Sequence, residues 1–305
     1  MNKLKNSGVT LIEILISMTI SILVMGMAIS IYTDIKHHKQ KIEDKNEFLA
    51  TSFKVKQLFT SLIEKEGMDC MKNEHTWLNN LDNKTSLISV ASNYPSVFSY
   101  QTKYSNIENL VHTNNIEPAS DFLLIQGADA ISTISSTNTQ NTIIKTISQT
   151  NDIQGGDLLL FCNNNYTNAG YTLAEALPNI NNKNTIPLLQ PVPNIALKDF
   201  VGKYSMYILF TGYTDKSKTK TALYIYSLAD SKITKPSIAV NNISKMKIRY
   251  YLDGKWQSVN SLSIDDAKTV WQEHLIKGLE ISFLINDQAS KININLNGIG
   301  DFDEA

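Results

Sequence analysis

The stretch VTLIEILISMTISILVMGMAISIY, residues Val9–Tyr32, holds a single charged side chain, Glu13. About 20 predominantly apolar residues suffice to cross the hydrocarbon core of a bilayer as a helix. This run exceeds that length even with Thr10, Ser17, Thr19, Ser21 and Ser30 inside it, and it reads as a membrane-spanning helix. An ionised carboxylate in such a segment costs roughly 2.5–3.5 kcal/mol near the centre and less near an end, so Glu13 calls for a partner.

Other readings of the run fit less well. A secretory signal has an apolar core of about 7–15 residues followed by a small-residue cleavage site. Gly26-Met27-Ala28 would serve as that site, but the run is too long and Glu13 interrupts it early. An ordinary single-span anchor with Glu13 near the interface remains open. A buried core helix is at odds with the length and the amino-terminal position. Flanking charge does not orient the span: Lys3 and Lys5 stand on one side, Lys36, Lys39 and Lys41 on the other.

The residues Lys5-Asn6-Ser7-Gly8-Val9-Thr10-Leu11-Ile12-Glu13-Ile14-Leu15 resemble the class III leader of type IV pilins and type II secretion pseudopilins. The resemblance implies a leader of residues 1–8, cut by the prepilin peptidase after Gly8, and methylation of the new amino terminus at Val9. The usual first residue of the mature chain in that family is phenylalanine. The resemblance also gives Glu13 its role, a carboxylate paired with the terminal ammonium of a neighbouring subunit as helices pack into a filament. Pairing in a dry bundle repays desolvation only with good geometry, so Glu13 is expected to act on register and recruitment more than on raw stability. A cytoplasmic amino terminus follows from the same resemblance.

Helical patterning continues past the membrane, and no proline occurs before Pro95. Phe48, Leu49, Phe53, Val55, Leu58, Phe59, Leu62 and Ile63 recur at helical spacing, with Lys54, Lys56, Gln57 and Lys65 largely between them. The expectation is one helix over residues 9–66, with the span at about 9–32, a polar neck at Lys36–Asn46 and an apolar stripe for a soluble domain. Gly67 is its stop signal.

From 67 to 305 the period changes to that of short strands: Phe122–Gln126, Leu158–Cys162, Tyr207–Thr211 and Ala222–Ser227. Met246, Ile248, Tyr250 and Leu252 alternate with Lys247, Arg249 and Tyr251, then Asp253-Gly254 turns the chain into Lys255-Trp256-Gln257. Leu279, Ile281, Phe283 and Ile285 form a second pair with Ile292, Ile294 and Leu296 across Asn286–Ser290. Ser132–Thr142 and Asn163–Pro193 read as long surface loops. The expected fold is α+β and pilin-like, a long amino-terminal helix packed on an antiparallel sheet domain.

The passage from Ser52-Phe53 through Glu66-Gly67-Met68-Asp69-Cys70 resembles that of PilW-type minor pilins. So do Ser120–Gly127, Gly156–Cys162, Val240–Tyr251, Trp271 and Gly278–Ile281. The carboxyl-terminal pattern is also similar to the pseudopilin GspJ. The implied function is priming, assembly or capping of a type IV pilus, with a secretion pseudopilin or a non-polymerising tethered binding module or adhesin as alternatives. Implied partners are other minor and major pilins, the prepilin peptidase and the inner-membrane assembly platform. The implied location is a single pass in the inner membrane, then the pilus or cell surface.

Two cysteines occur, Cys70 and Cys162, both in the part that would be exported. An oxidising compartment favours a bridge between them, worth about 4–5 kcal/mol in the chain-entropy model, against the alternative of two buried thiols. His37, His38, His75, His112 and His274 show no metal-ligand spacing to them. No cofactor and no enzyme activity are expected, since no P-loop, nucleophile elbow or zinc-peptidase motif occurs. Asp265-Asp266 and the tail Asp301, Asp303 and Glu304 lack EF-hand spacing and read as solvated surface. The net charge of -1 gives no global basic field. Tyr250, Tyr251 and Trp256 near Lys247, Arg249 and Lys255 could stack on single-stranded nucleic acid, but half-buried hairpin patterning is the better account.

Overall fold

The chain's one long helix follows directly from its first sixty residues, which lack proline and contain a single glycine beyond the leader-like segment, Gly26. In a computed structural model that describes residues 11–64, 75–77, 97–101, 111, 113, 115–149, 152–162, 171–177, 184–193, 195–227, 235–261, 263, 266, 269–270 and 276–296, helix α1 spans Leu11–Glu64. Its hydrogen-bonded ladder is unbroken through the polar neck. There Lys39 and Glu43, one turn apart, approach to 3.7 Å. Both are well exposed, so the pair adds only about 0.3–0.5 kcal/mol.

The chain divides into two compact units, Met1–Thr51 and Ser52–Ala305. In the second unit the tail of α1 buries Val55, Phe59, Leu62 and Ile63, and Ser52 Oγ lies 2.8 Å from Ser290 Oγ. The stripe is narrower than the sequence pattern implied. Leu49 and Phe53 are 53% and 69% exposed. Gly67, the expected stop, lies outside the described residues.

Two sheets follow. The strands are β1 (His75–Trp77), β2 (Val97–Gln101), β3 (Asp121–Thr137), β4 (Ile143–Thr146), β5 (Leu158–Cys162), β6 (Tyr171–Glu175), β7 (Thr185–Pro187), β8 (Phe200–Tyr213), β9 (Thr221–Ser227), β10 (Ser237–Asn241), β11 (Ile243–Leu252), β12 (Lys255–Ser258), β13 (Gly278–Ile285) and β14 (Gln288–Asn295). Among the described residues the larger sheet has the order β1-β6-β5-β8-β3-β4-β7, with β2 on β3, β9 on β8 and β10 on β9; the smaller is β12-β11-β13-β14. All pairings are antiparallel except β1 with β6. The chain is thus α+β, one long apolar amino-terminal helix followed by antiparallel sheets.

The two longest strands organise the larger sheet because each serves two partners along one edge. One edge of β8 pairs with β3, while its other edge meets β5 at Phe200–Lys203 and β9 at Tyr207–Tyr213. β3 likewise meets β2 at Asp121–Ile125 and β4 at Ile134–Thr137, with a register shift between Asp129 and Ser132. Where these branches part, Ile134, Ile144, Leu159, Phe161, Ile186 and Val201 share one core cluster. Gly212 lets another segment cross β8 closely, since a Cβ there would come within 2.7 Å of the Asn115 carbonyl oxygen. All five side chains of β5 are buried, and both its backbone edges are paired, to β8 and β6.

Three sequence expectations need correction. Ser132–Thr142 is not a loop: β3 runs to Thr137, and β4 begins at Ile143. The hydroxyls that make this segment look solvated are accommodated locally, Ser132 Oγ lying 2.6 Å from Ser148 Oγ while Ile134 enters the core. The expected loop Asn163–Pro193 contains β6 and β7, which take their conformation from pairing, β6 with the preceding β5 and the distant β1, β7 with β4. The turn between the last two strands is Asn286-Asp287, shorter than Asn286–Ser290. Both turn residues have positive φ, 47° and 64°, as a two-residue type I′ turn requires. Asp253-Gly254, at 51° and 77°, makes the same turn between β11 and β12 as expected.

Phe59 is fully buried, and Phe59→Ala in the full chain is expected to cost about 3–5 kcal/mol. Urea unfolding followed by intrinsic fluorescence measures this; a loss of only a few tenths would mean that the helix tail does not contribute to the core.

Candidate functional site

The first turn of α1 carries Glu13 as its acidic residue. A negative charge there complements the positive end of the helix dipole, a gain of typically 0.3–1 kcal/mol where exposed. Gly8 and Val9 lie outside the described residues. The hydroxyls within the apolar run bond back along the helix: Ser17 Oγ donates to the Glu13 carbonyl oxygen at 2.7 Å, Thr19 Oγ1 to that of Leu15 at 2.7 Å, and Ser21 Oγ to that of Ser17 at 2.7 Å. Each such bond removes most of the cost of carrying a hydroxyl into a medium without water. The run is long and apolar enough to cross a membrane, and none of its most apolar window is buried within the chain.

A second constellation, which sequence reasoning missed, joins the two sheets. Glu117 precedes β3 and is nearly buried. Its Oε2 accepts from Thr211 Oγ1 of β8 at 2.8 Å, from Ser120 Oγ at 2.9 Å and from the Lys245 backbone N–H of β11 at 2.8 Å. Lys245 sits at φ 52°, in the register shift of β11 between Ser244 and Lys247. One carboxylate therefore stabilises a backbone conformation that L-residues avoid. Four residues on, Asp121 is 1% exposed and accepts from the Ile248 backbone N–H at 2.8 Å, with Lys247 Nζ at 3.4 Å. Burial pushes the Asp121 carboxyl above the usual carboxylate range, against the lowering effects of Ile248 and Lys247.

The remaining candidates disperse. Tyr250 is fully buried, with burial raising its phenol, so its ring is not a stacking platform. Tyr251 and Trp256 meet edge to face at 5.3 Å, and Arg249 is engaged by Glu280 at 3.1 Å and by the Trp256 carbonyl at 3.2 Å. Asp266 accepts from Ser263 Oγ at 2.6 Å; Asp265 and the acidic tail lie outside the described residues. Among the described residues no group of three or more His, Cys, Asp or Glu is placed to hold a metal. Cys162 ends β5, is 2% exposed and is not a free thiol. Cys70 lies outside the described residues.

Residues 3–29 match a family model described as the prokaryotic N-terminal methylation motif. The chain therefore carries a type IV pilin-type prepilin signal, which supports a pilin or pseudopilin family and, with the long apolar helix, anchoring in a membrane. No curated protein sequence matches the chain. The phage phi92 endosialidase structure shows 11% identity over 57% of this chain and 33% of its own, so the match spans a third of that protein; at a TM-score of 0.16 it carries no argument.

A carboxyl whose folded pKa is raised supplies its stabilisation below the unfolded value, and that contribution is lost as pH rises through the folded value. Asp121→Asn keeps an oxygen for the Ile248 N–H without the charge. It is expected to gain stability relative to wild type as pH goes from about 3, below the carboxylate range, to about 7. Urea midpoints of both proteins across that range decide it, and a wild-type advantage that grows with pH would contradict the buried, upward-shifted carboxyl.

Proposed function

We propose that the chain is a minor pilin of the PilW type, a non-enzymatic subunit that primes, assembles or caps a type IV pilus. The observation carrying this reading is the match of the methylation motif to residues 3–29, the part of the chain whose apolar run has Glu13 in its first helical turn. Residues 1–8 are the leader, residues 9–66 the membrane and packing helix, and residues 67–305 the exported domain. The prepilin peptidase cuts after Gly8, Val9 becomes the methylated amino terminus, and the helix passes from the inner membrane into the filament with an assembly platform and other minor and major pilins as partners. Glu13 pairs with the terminal ammonium of a neighbour during that transfer. A secretion pseudopilin shares the same motif, and the identity of the machinery encoded beside the gene separates the two.

Two substitutions test this in cells. Gly8→Leu is expected to leave residues 1–8 on the chain, seen by mass spectrometry of the membrane-extracted protein. Glu13→Ala is expected to be trimmed normally but to lose at least about tenfold in surface-filament incorporation, equivalent to about 1.4 kcal/mol of lost pairing. Normal trimming of the first variant, or undiminished incorporation of the second, counts against the assigned role.

The burial of Cys162 at the end of β5 supports a bridge to Cys70. Peptide mapping without reductant is expected to find the two joined, and reduction to lower the unfolding free energy by about 4–5 kcal/mol, as closure of a loop near 100 residues implies. Recovery of both as alkylated thiols from unreduced protein would remove the bridge from the proposal.

A further inference from the structure

Among the ion pairs of the described residues one stands apart in its shielding. In those made by Lys39, Lys247, Arg249 and Lys291 the cation is 43–74% exposed, whereas Lys203 of β8 is 14% exposed and its partner Asp157 6%. Lys203 Nζ and Asp157 Oδ2 lie 3.1 Å apart. A pair so withdrawn from water gains little as a salt bridge, because desolvation takes back most of the attraction.

Strand pairing brings further groups to the same place. Asp157 directly precedes β5, and Leu159 of β5 stands opposite Lys203. On the other edge of β8, Asp129 of β3 is the direct partner of Lys203. Opposed residues of antiparallel strands hold their Cβ atoms about 4.5–5.5 Å apart, so a second carboxyl flanks the amino group. Tyr207, the partner of Ile125, reaches back past Gly127 and donates its hydroxyl to Asp129 Oδ2 at 3.1 Å. Ser205, between Lys203 and Tyr207 on the same face, is 1% exposed. The Gln154 backbone N–H donates to Asp157 Oδ2 at 2.7 Å.

An amine, a carboxyl in contact with it, a second carboxyl beside it and little water are the components of an amide condensation. We propose that Lys203 and Asp157 become joined by an isopeptide bond between β8 and β5, formed within the folded chain, with Asp129 moving the protons. Transfer of a proton within the pair leaves a neutral amine beside a carboxylic acid, a form that a water-poor site favours over two charges. The Nζ lone pair adds to Cγ, one bond from the oxygen that the nitrogen already touches. The Gln154 N–H stabilises the charge that grows on Oδ2. Oδ1 departs as water, carrying the acid proton and one that Asp129 takes from the nitrogen and hands on. The Cγ–Oδ1 bond breaks, the Nζ–Cγ bond forms, and no oxidant or other reactant is consumed. Exclusion of water then protects the amide from hydrolysis. The inference does not depend on the filament reading, since it needs only the folded larger sheet.

The test is the intact mass of the full chain extracted from membranes, followed by peptide mapping. The wild type is expected to be one water lighter than its trimming, methylation and cysteine state account for. Trypsin is expected to leave the chain uncut after Lys203 and to release a branched peptide that joins Lys203 to Asp157. Lys203→Arg keeps a cation beside Asp157 but offers a guanidinium that does not give up its proton, and is expected to show the full mass. Asp129→Asn is expected to slow bond formation about a hundredfold or more, the scale of general acid–base assistance, read as the joined fraction through a time course after synthesis. A wild type of full mass that is cut after Lys203 would overturn the bond. So would a water loss that maps elsewhere, such as to Asp253-Gly254. An unchanged rate in Asp129→Asn would overturn the role of Asp129. The wild-type mass decides for or against the bond even if both variants fail to fold.

Discussion

The rest of the molecule depends on the need to remove the side chains of Leu11–Tyr32 from water. The large apolar ones are between 51% and 77% exposed, in contact with nothing that would shield them. Leaving one such side chain in water forfeits about 1.5–3 kcal/mol, so the run as a whole forfeits tens of kcal/mol. A domain's entire stability is about 5–15 kcal/mol. No folding of the sheets can offset that, and the segment must reside in lipid or against other helices. Lipid and a helix bundle are nearly equal solvents for leucine and isoleucine, so apolarity alone does not separate the two environments. The carboxylate does. An ionised Glu13 near one end of the span carries a desolvation cost in lipid that a cationic partner among packed helices would offset. The hydroxyls of Ser17, Thr19 and Ser21, satisfied within their own helix, are tolerated in either environment.

The part that carries the sheets meets a different constraint, that of holding a four-stranded sheet against a larger one through a seam that contains charge. Glu117 and Asp121 both reach backbone N–H groups of β11, one inside its register shift and one just beyond it. Hydrogen bonds to charged acceptors are worth about 1.5–3 kcal/mol each, and the donors they satisfy would otherwise be left buried and unmet. The arrangement makes the irregular stretch of β11 a fixed structural feature: the left-handed Lys245 is positioned by the carboxylate that accepts its N–H.

How much of this was legible depends on whether the determining contact is local. The alternation in Met246–Leu252 and Leu279–Ile285, and the two turns that close these hairpins, follow from period and turn chemistry within a dozen residues, and β5 announced itself as a compact apolar run. Ser132–Thr137 did not, because hydroxyl-rich sequence resembles a linker until Ser148 and β4 are placed beside it. β7 acquires strand character from β4, some way back in sequence, and β6 from the preceding β5 on one edge and the distant β1 on the other. Glu117 gave no signal, since nothing near it predicts that Thr211 and Lys245 will converge on its oxygen. Asp121 gave a weak one, a carboxylate directly ahead of the apolar Phe122–Ile125, which is where a charge must be either exposed or met by a donor. At the amino-terminal end the information lay in a short contiguous motif, matched over residues 3–29, which needs no tertiary contact to be legible.

The helix itself shows the two constraints meeting. Through Tyr32 it is apolar on every side, as suits a segment whose neighbours are lipid or helices all round. Between Tyr32 and Phe48 the large apolar positions thin to Ile35 and Ile42, both exposed, amid mostly polar and charged residues. A segment that only had to link a membrane anchor to a soluble domain would be served as well by a uniformly polar helix, and two exposed isoleucine side chains would be a solubility cost with no return. Their spacing is that of helix-on-helix packing rather than of a lipid-facing surface.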